Sequence, residues 1–136
     1  MEHVHGHCVC GKVHIELKEY GRFVYTCHCG TCRRMNSGPV LSVDPGPGEN
    51  VAFVQGRELI TTYQDEDVER GFCSVCGSTL YWYDPADDHY CMNAELFDDV
   101  IRDASFELEL FYDSKPDYYS FAGARRRLDH NFQEIK

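Results

Sequence analysis

The sequence predicts an all-β domain, a sandwich or open barrel of short antiparallel strands, and three observations carry that reading. Hydrophobic periodicity is mostly two: Val13, Ile15 and Leu17 alternate with polar neighbours, and Leu108, Leu110 and Tyr112 do the same later. Runs rich in β-branched and aromatic residues recur roughly every ten residues. Turn signals such as DPGPGEN, QGRE and DPADDH stand between them.

In order along the chain, strands are expected around Val13–Leu17, FVYTC, PVLSVD, VAFVQG, LITTY, VERGF, STLYWY, HYCMN and Leu108–Tyr112. Each run is too short for a typical helix and is bounded by Gly, Pro, Asp or Asn. Two short helices are expected, one near AELFDD and one in ARRRLDHNFQEIK, where a frayed tail is the equal alternative. The 136 residues suit one domain spanning 1–136, with 124–136 as a flexible or short helical tail.

A net charge of −10 argues against a nucleic-acid partner, because affinity for phosphate backbones is built from Lys and Arg. The basic run Arg125-Arg126-Arg127 sits among acidic residues and reads as a solvated surface. No stretch has the apolar length of a bilayer span, so no membrane partner is expected. The opening MEHVHGHCVCGK lacks the basic start and apolar run of a secretory signal. Both features point to the cytoplasm or nucleus, and a cytoplasmic protein keeps its thiols reduced.

Eight cysteines in such a compartment need a role other than disulfides. Seven fall in three clusters: Cys8-x-Cys10, Cys27-x-Cys29-x-x-Cys32 and Cys73-x-x-Cys76. Thiolates so close in sequence can surround one zinc ion at about 2.3 Å, whereas a Cys-x-Cys pair rarely has the Cβ geometry of a disulfide. Gly11 and Gly77 follow two of the clusters and let the chain turn back with positive φ, as a zinc knuckle joining two strands requires. Seven sulfurs divide into four and three. Cys8, Cys10, Cys73 and Cys76 can close one site, leaving Cys27, Cys29 and Cys32 with a vacant position. Spacing leaves other divisions open: Cys27/Cys29 can pair with Cys73/Cys76, or Cys91 or a histidine can close the second site. Cys91 itself, in HYCMNAELF, reads as a buried inert thiol.

GHCVCGKV, YTCHCGTCRR and VERGFCSVCGSTLYW resemble, in order and spacing, the three motifs of the glutathione-dependent formaldehyde-activating enzyme family. LITTYQ is similar to the segment before the last of them, and the resemblance runs from residue 6 to about residue 97. It implies a zinc-bound β structure of the β-tent type and two Zn2+ per chain. Cys8, Cys10, Cys73 and Cys76 would hold a structural zinc, and Cys27, Cys29 and Cys32 a catalytic one. The implied reaction is reversible addition of glutathione to formaldehyde, which gives S-(hydroxymethyl)glutathione and is classed as a carbon–sulfur lyase. Beyond residue 97 the chain departs: relatives carry a histidine-containing strand and a tryptophan-containing segment where this chain has FELELFYDSKPDYYSFAGARRRL.

Three thiolates make an electron-rich zinc, better suited to presenting a nucleophilic sulfur than to polarising water. Arg33 and Arg34 follow the triplet, and one of them is expected to pair with a carboxylate of a glutathione-like thiol; a surface salt bridge is the plain alternative. His28 is expected to point away from the metal as a strand-end surface histidine. His3, His5 and His7 alternate onto one face of an extended segment, within a mobile, solvated terminus. Tyr81-Trp82-Tyr83 reads as core, with a pocket wall as the alternative. Two other functions compete with the enzyme: a zinc-stabilised module that binds a protein partner without turnover, and a reversible metal or redox use of the triplet.

Overall fold

A computed structural model describes residues 3–136, the side chains at 99 and 101 excepted. Eleven strands are present: β1 (Val4–His7), β2 (His14–Leu17), β3 (Phe23–Cys27), β4 (Ser42–Gly46), β5 (Val51–Gln55), β6 (Ile60–Asp65), β7 (Val68–Cys73), β8 (Thr79–Asp84), β9 (His89–Asn93), β10 (Ser105–Leu110) and β11 (Arg126–Arg127). Two short helices, α1 (Gly30–Asn36) and α2 (Asp98–Asp103), interrupt them. The strands make a three-stranded sheet, β1-β2-β5, and an eight-stranded sheet, β11-β10-β3-β4-β9-β8-β7-β6, and neither closes into a barrel.

The expected period of two is visible in burial. On β2, Ile15 and Leu17 are fully buried while His14 and Glu16 are only partly so, and β4 and β9 alternate in the same way. Ile15, Leu17, Val43, Leu80 and Met92 meet in one core, which Phe97 and Val100 complete beside α2. Strands β6 to β9 form an antiparallel meander, as short turns dictate.

Pairing is antiparallel, as expected, except at β10, which makes two parallel pairs. β10 runs parallel to β3, with Leu110 beside Cys27 and Glu109 beside Thr26, and β11 runs parallel to β10. A parallel pair needs a long crossover. Here strands β4 to β9 and α2 supply it. Both β3 and β10 therefore deliver the chain to the same end of the sheet. The alternation expected through Tyr112 also stops early: β10 ends at Leu110, and Phe111 takes a left-handed backbone with φ 52°.

Residues 124–136 are neither a loose tail nor a helix. Arg126 and Arg127 pair with Leu108 and Glu109, Leu128 is buried, and an isolated bridge joins Leu128 to Glu134. Phe132, also left-handed at φ 60°, sets its ring edge-on against Phe111, with centroids 5.9 Å apart. Nor is the arginine run simply solvated, because Arg125 and Arg127 both reach Glu109. His5 and His7 lie on strand β1 instead of a mobile end, His3 directly precedes it, and His3 and His5 both contact the Glu16 carboxylate. Among the described residues, no helix is long and apolar enough to cross a membrane.

The ion pair between His130 and Asp113, at 2.5 Å, ties the C-terminal segment to the turn after β10. The hydrogen bond that His130 donates to the Asp113 carboxylate raises the His130 pKa above its ordinary value. A raised folded value means the pair stabilises the folded state fully below the ordinary histidine pKa and is lost as pH rises through the folded one. An NMR titration of the His130 ring should report a pKa above that of a free histidine, and Asp113→Asn should return it to the ordinary value.

Candidate metal centre and the cavity beside it

Two knuckles with the same backbone wiring hold the first sulfur group. In one, Cys8 N donates to Val13 O and Gly11 N donates to Cys8 O; in the other, Cys73 N donates to Ser78 O and Gly77 N donates to Cys73 O. Gly11 and Gly77 take φ of 76° and 80°, the turn-back expected of them. Ser78 links the knuckles, accepting from Val9 N and standing 3.2 Å from Cys76 Sγ.

Cys8, Cys10, Cys73 and Cys76 thereby gather, with one sulfur from each inside a 4.8 Å group. Cys8 Sγ lies 3.5 Å from Cys10 Sγ, and Cys10 Sγ lies 3.9 Å from Cys73 Sγ. Thiolates in a tetrahedron around zinc, at about 2.3 Å from it, stand roughly 3.8 Å apart, so the donor set and its spacing both fit. Cys8 and Cys73 are wholly buried in the core, which makes this group part of the packing. The thiols titrate unequally. Hydrogen bonding to Ser78 lowers Cys76 to about 5, while Cys10, despite a Lys12 N–H that favours its thiolate, is raised to about 11.

The second group, Cys27, Cys29 and Cys32, also lies within 4.8 Å. Cys27 ends β3, and Cys29 is the N-cap of α1, its sulfur accepting from Cys32 N at 3.3 Å. The N-cap and third helical positions share one side of the first turn, which brings the last two sulfurs together. Helix α1 had no counterpart among the expected helices. Its signals are a cysteine in place of the usual Ser or Asp cap and a stop at Ser37, which is left-handed at φ 59°. Hydrogen bonds from Cys27 and Cys32 lower the Cys29 thiol to about 2, and its hydrogen bonds to Cys29 and Cys32 push Cys27 far up. One thiolate is strongly favoured and another strongly opposed; a cation is what lets such a set ionise together.

His28, between two of these cysteines, points away from them, but into the interior and not the surface. Its ring is fully buried, with Nδ1 2.6 Å from Tyr119 Oη and Nε2 2.8 Å from Glu109 Oε1. The other Glu109 oxygen accepts from Arg125 at 2.8 Å and Arg127 at 3.0 Å. Arg33 donates from Nε to His28 O, and Arg34 beside it is exposed. Both line a depression with Tyr118 and Tyr119, separate from the cavity over the triplet.

That cavity, about 530 Å³, has Cys27, Cys29 and Cys32 in its wall. Among the described residues its one charged lining side chain is Arg70, which the motif reading passed over. Nearly buried, Arg70 donates to Asp65 at 3.1 Å and to Cys32 Sγ at 3.6 Å. Tyr81 and Trp82 of the expected core also face the cavity. So does Cys91, half-buried, whose thiol burial pushes up to about 12, in keeping with an inert neutral thiol.

Comparison with known proteins gives a concordant result. The family described as "Glutathione-dependent formaldehyde-activating enzyme" matches residues 3–114, past the point where the motif resemblance fades. A Schizosaccharomyces pombe protein named an uncharacterized lyase is 33% identical over 128 residues, covering 90% of this chain and 88% of that one. A Halomonas elongata protein whose name carries the same family description is 30% identical over 87 residues, covering 59% and 55%. A crystal structure of a Rhodobacter sphaeroides protein superposes with a TM-score of 0.61 at 25% identity, covering 69% of this chain and 87% of that one.

Removing one member of a buried ion pair costs about 3–5 kcal/mol, because the remaining charges lose their partner. Glu109→Gln is therefore expected to lower thermal stability by about 3 kcal/mol, measured by calorimetry on metal-saturated protein. The Arg126 pair with Glu134 is exposed, and Glu134→Gln should change stability by less than about 0.5 kcal/mol.

Proposed function

This chain belongs to the glutathione-dependent formaldehyde-activating enzyme family, and on that premise we propose that it is a zinc-dependent carbon–sulfur lyase joining a glutathione-like thiol reversibly to an aldehyde such as formaldehyde. The single observation that carries the reading is the contrast between its two sulfur groups. Four sulfurs with two in the core suit a closed structural ion; three at a cavity wall suit an ion with room for one more ligand. A zinc ion held by Cys27, Cys29 and Cys32 would supply a position where an incoming thiol binds as thiolate.

The chain's own residues supply the rest. Arg70 sets a fixed positive charge beside Cys32, offsetting the negative charge of the clustered thiolates, and Asp65 keeps its guanidinium in place. The Cys29 cap and the bond from Asn36 Nδ2 to Cys32 O fix the first turn of α1, so two sulfurs keep their relative positions. The buried His28–Glu109 pair anchors the backbone between Cys27 and Cys29. Tyr25, Tyr81 and Trp82 wall the cavity and reduce the water that competes with an incoming thiol. A cytoplasmic setting fits this reading, since sulfurs that hold zinc must stay reduced and none is taken up in a disulfide.

Structural zinc contributes about 10–16 kcal/mol in small peptides, as much as the whole stability of a typical domain, roughly 5–15 kcal/mol. Cys73→Ser is therefore expected to give unfolded or insoluble protein. Cys32→Ser should stay folded, fall from about two zinc ions to about one, and lose glutathione binding. Metal analysis, circular dichroism and calorimetric titration check all three. Equal collapse of both variants, or two ions retained in Cys32→Ser, would overturn the division of roles.

A further inference from the structure

We propose that the cavity beside Cys27, Cys29 and Cys32 is shaped for an aldehyde bearing an apolar substituent, aliphatic or aromatic, and not for formaldehyde alone. The inference rests on the thiol–aldehyde reading above. Formaldehyde is only a little larger than a water molecule, whose share of the liquid is about 30 Å³. The cavity measures about 530 Å³. Its size lies in the range, roughly 300–1,000 Å³, that takes whole organic ligands.

Glutathione alone does not account for the lining. The peptide carries two carboxylates and an ammonium, and a buried carboxylate without a partner is costly. Among the described residues the cavity offers a single charged side chain, Arg70, whose Nε and one Nη serve Asp65 and Cys32, so it can meet at most one of the two carboxylates. The other charged ends of the thiol are therefore left to the open mouth. Aromatic and aliphatic groups make most of the remaining wall, among them Tyr25, Met35, Trp82, Phe111 and Phe132. Asn36, Ser42, Thr79 and Asn93 are its neutral polar members. A second depression shares Tyr25, Trp82 and Cys91 with the cavity and is lined by Asp44, Asp84 and Asp87, with His89 already paired to Asp44, so an anionic substituent gains little there either.

Two of the wall residues are held in a conformation that bulky side chains rarely adopt. Phe111 and Phe132 both have positive φ, and their rings meet edge-on at the cavity. Phe132 keeps 61% of its surface exposed, so burial in a core does not explain its position. Strained backbone of this kind concentrates at ligand sites. Phe132 also lies beyond residue 114, outside the part matched to the family, so its side of this wall comes from this chain's C-terminal segment.

The reaction balances without a redox partner. The glutathione sulfur forms a bond to the carbonyl carbon, the C=O π pair moves to oxygen, and the thiol proton ends on that oxygen. The zinc-loaded full chain is assayed for glutathione consumption, above the uncatalysed rate, with formaldehyde, propanal, hexanal and glyoxylate. Burying each methylene is worth about a three- to four-fold gain, so kcat/KM for hexanal should exceed that for propanal by roughly 30-fold or more, with glyoxylate the poorest. Formaldehyde as the best substrate would overturn the inference and leave the family reaction standing.

No consumption with any aldehyde would overturn the thiol–aldehyde reading instead. The chamber is then judged by binding, because Trp82, the one tryptophan of the chain, lines it. Saturable quenching of its fluorescence by hexanal and not by glyoxylate supports the apolar chamber; no saturable change overturns it. Phe132→Ser should lower the hexanal-to-formaldehyde ratio about ten-fold, and Phe132→Leu should restore most of it. An unchanged ratio in Phe132→Ser counts against the proposal.

Discussion

A carboxylate with no access to water must be met by cations and donors, and Glu109 is such a carboxylate. It sits on β10, fully buried, with His28 on one oxygen and Arg125 and Arg127 on the other. Its charge is kept by those partners: burial opposes ionisation, but Arg125, His28 and Arg127 together hold its pKa below the usual carboxylate value. Three parts of the chain far apart in sequence are thereby brought to one point. They are the loop between two sulfurs, the strand beside it and the C-terminal segment. The parallel pairing of β3 with β10 is the backbone expression of the same constraint. It places Phe111 next to the end of β3, where the triplet begins.

The two sulfur groups differ less in composition than in surroundings. Cys8 and Cys73 pack among Val13, Ile15 and Leu80, so an ion there would be a member of the core. The triplet lies at a strand end and a helix start, on the wall of a large cavity, with Arg70 as its neighbouring cation. The first group offers four sulfurs, as many as a tetrahedral ion takes, and the cavity gives the second group of three ample room. Metal chemistry of both kinds recurs on many folds, so the functional distinction lives in this local contrast and not in the sheet architecture.

Much of the fold was legible because its signals are local. Alternation at Val13, Ile15 and Leu17, the turn clusters and the glycines after Cys10 and Cys76 each report on a few neighbouring residues. The cysteine clusters were legible for the same reason, and their grouping into four and three matches the sulfur positions. What escaped depends on distant partners. Glu109 looked like the polar half of an alternating strand, and only its crossing with His28 and the arginines makes it interior. Arg70 gave no hint of its sulfur contact, because Cys32 is 38 residues away. Arg33 and Arg34, conspicuous by adjacency, line a different depression, since α1 turns them away from the sulfurs. The C-terminal strand was missed because two residues carry too little periodicity to read.

The four-sulfur group has a consequence for how the protein is made. Its halves are 63 residues apart between Cys10 and Cys73, so a chain emerging from the ribosome cannot complete that cage until β6, β7 and the turn after them have followed. The triplet is synthesised by residue 32, yet the strand that shelters it, β10, is among the last segments to appear. Throughout translation the nascent polypeptide thus exposes reactive thiols without their scaffold, at the stage when loop closure is still unpaid and oxidation is easiest. On the proposed two-ion reading, a reducing surrounding and a supply of buffered metal would serve its birth as much as its activity.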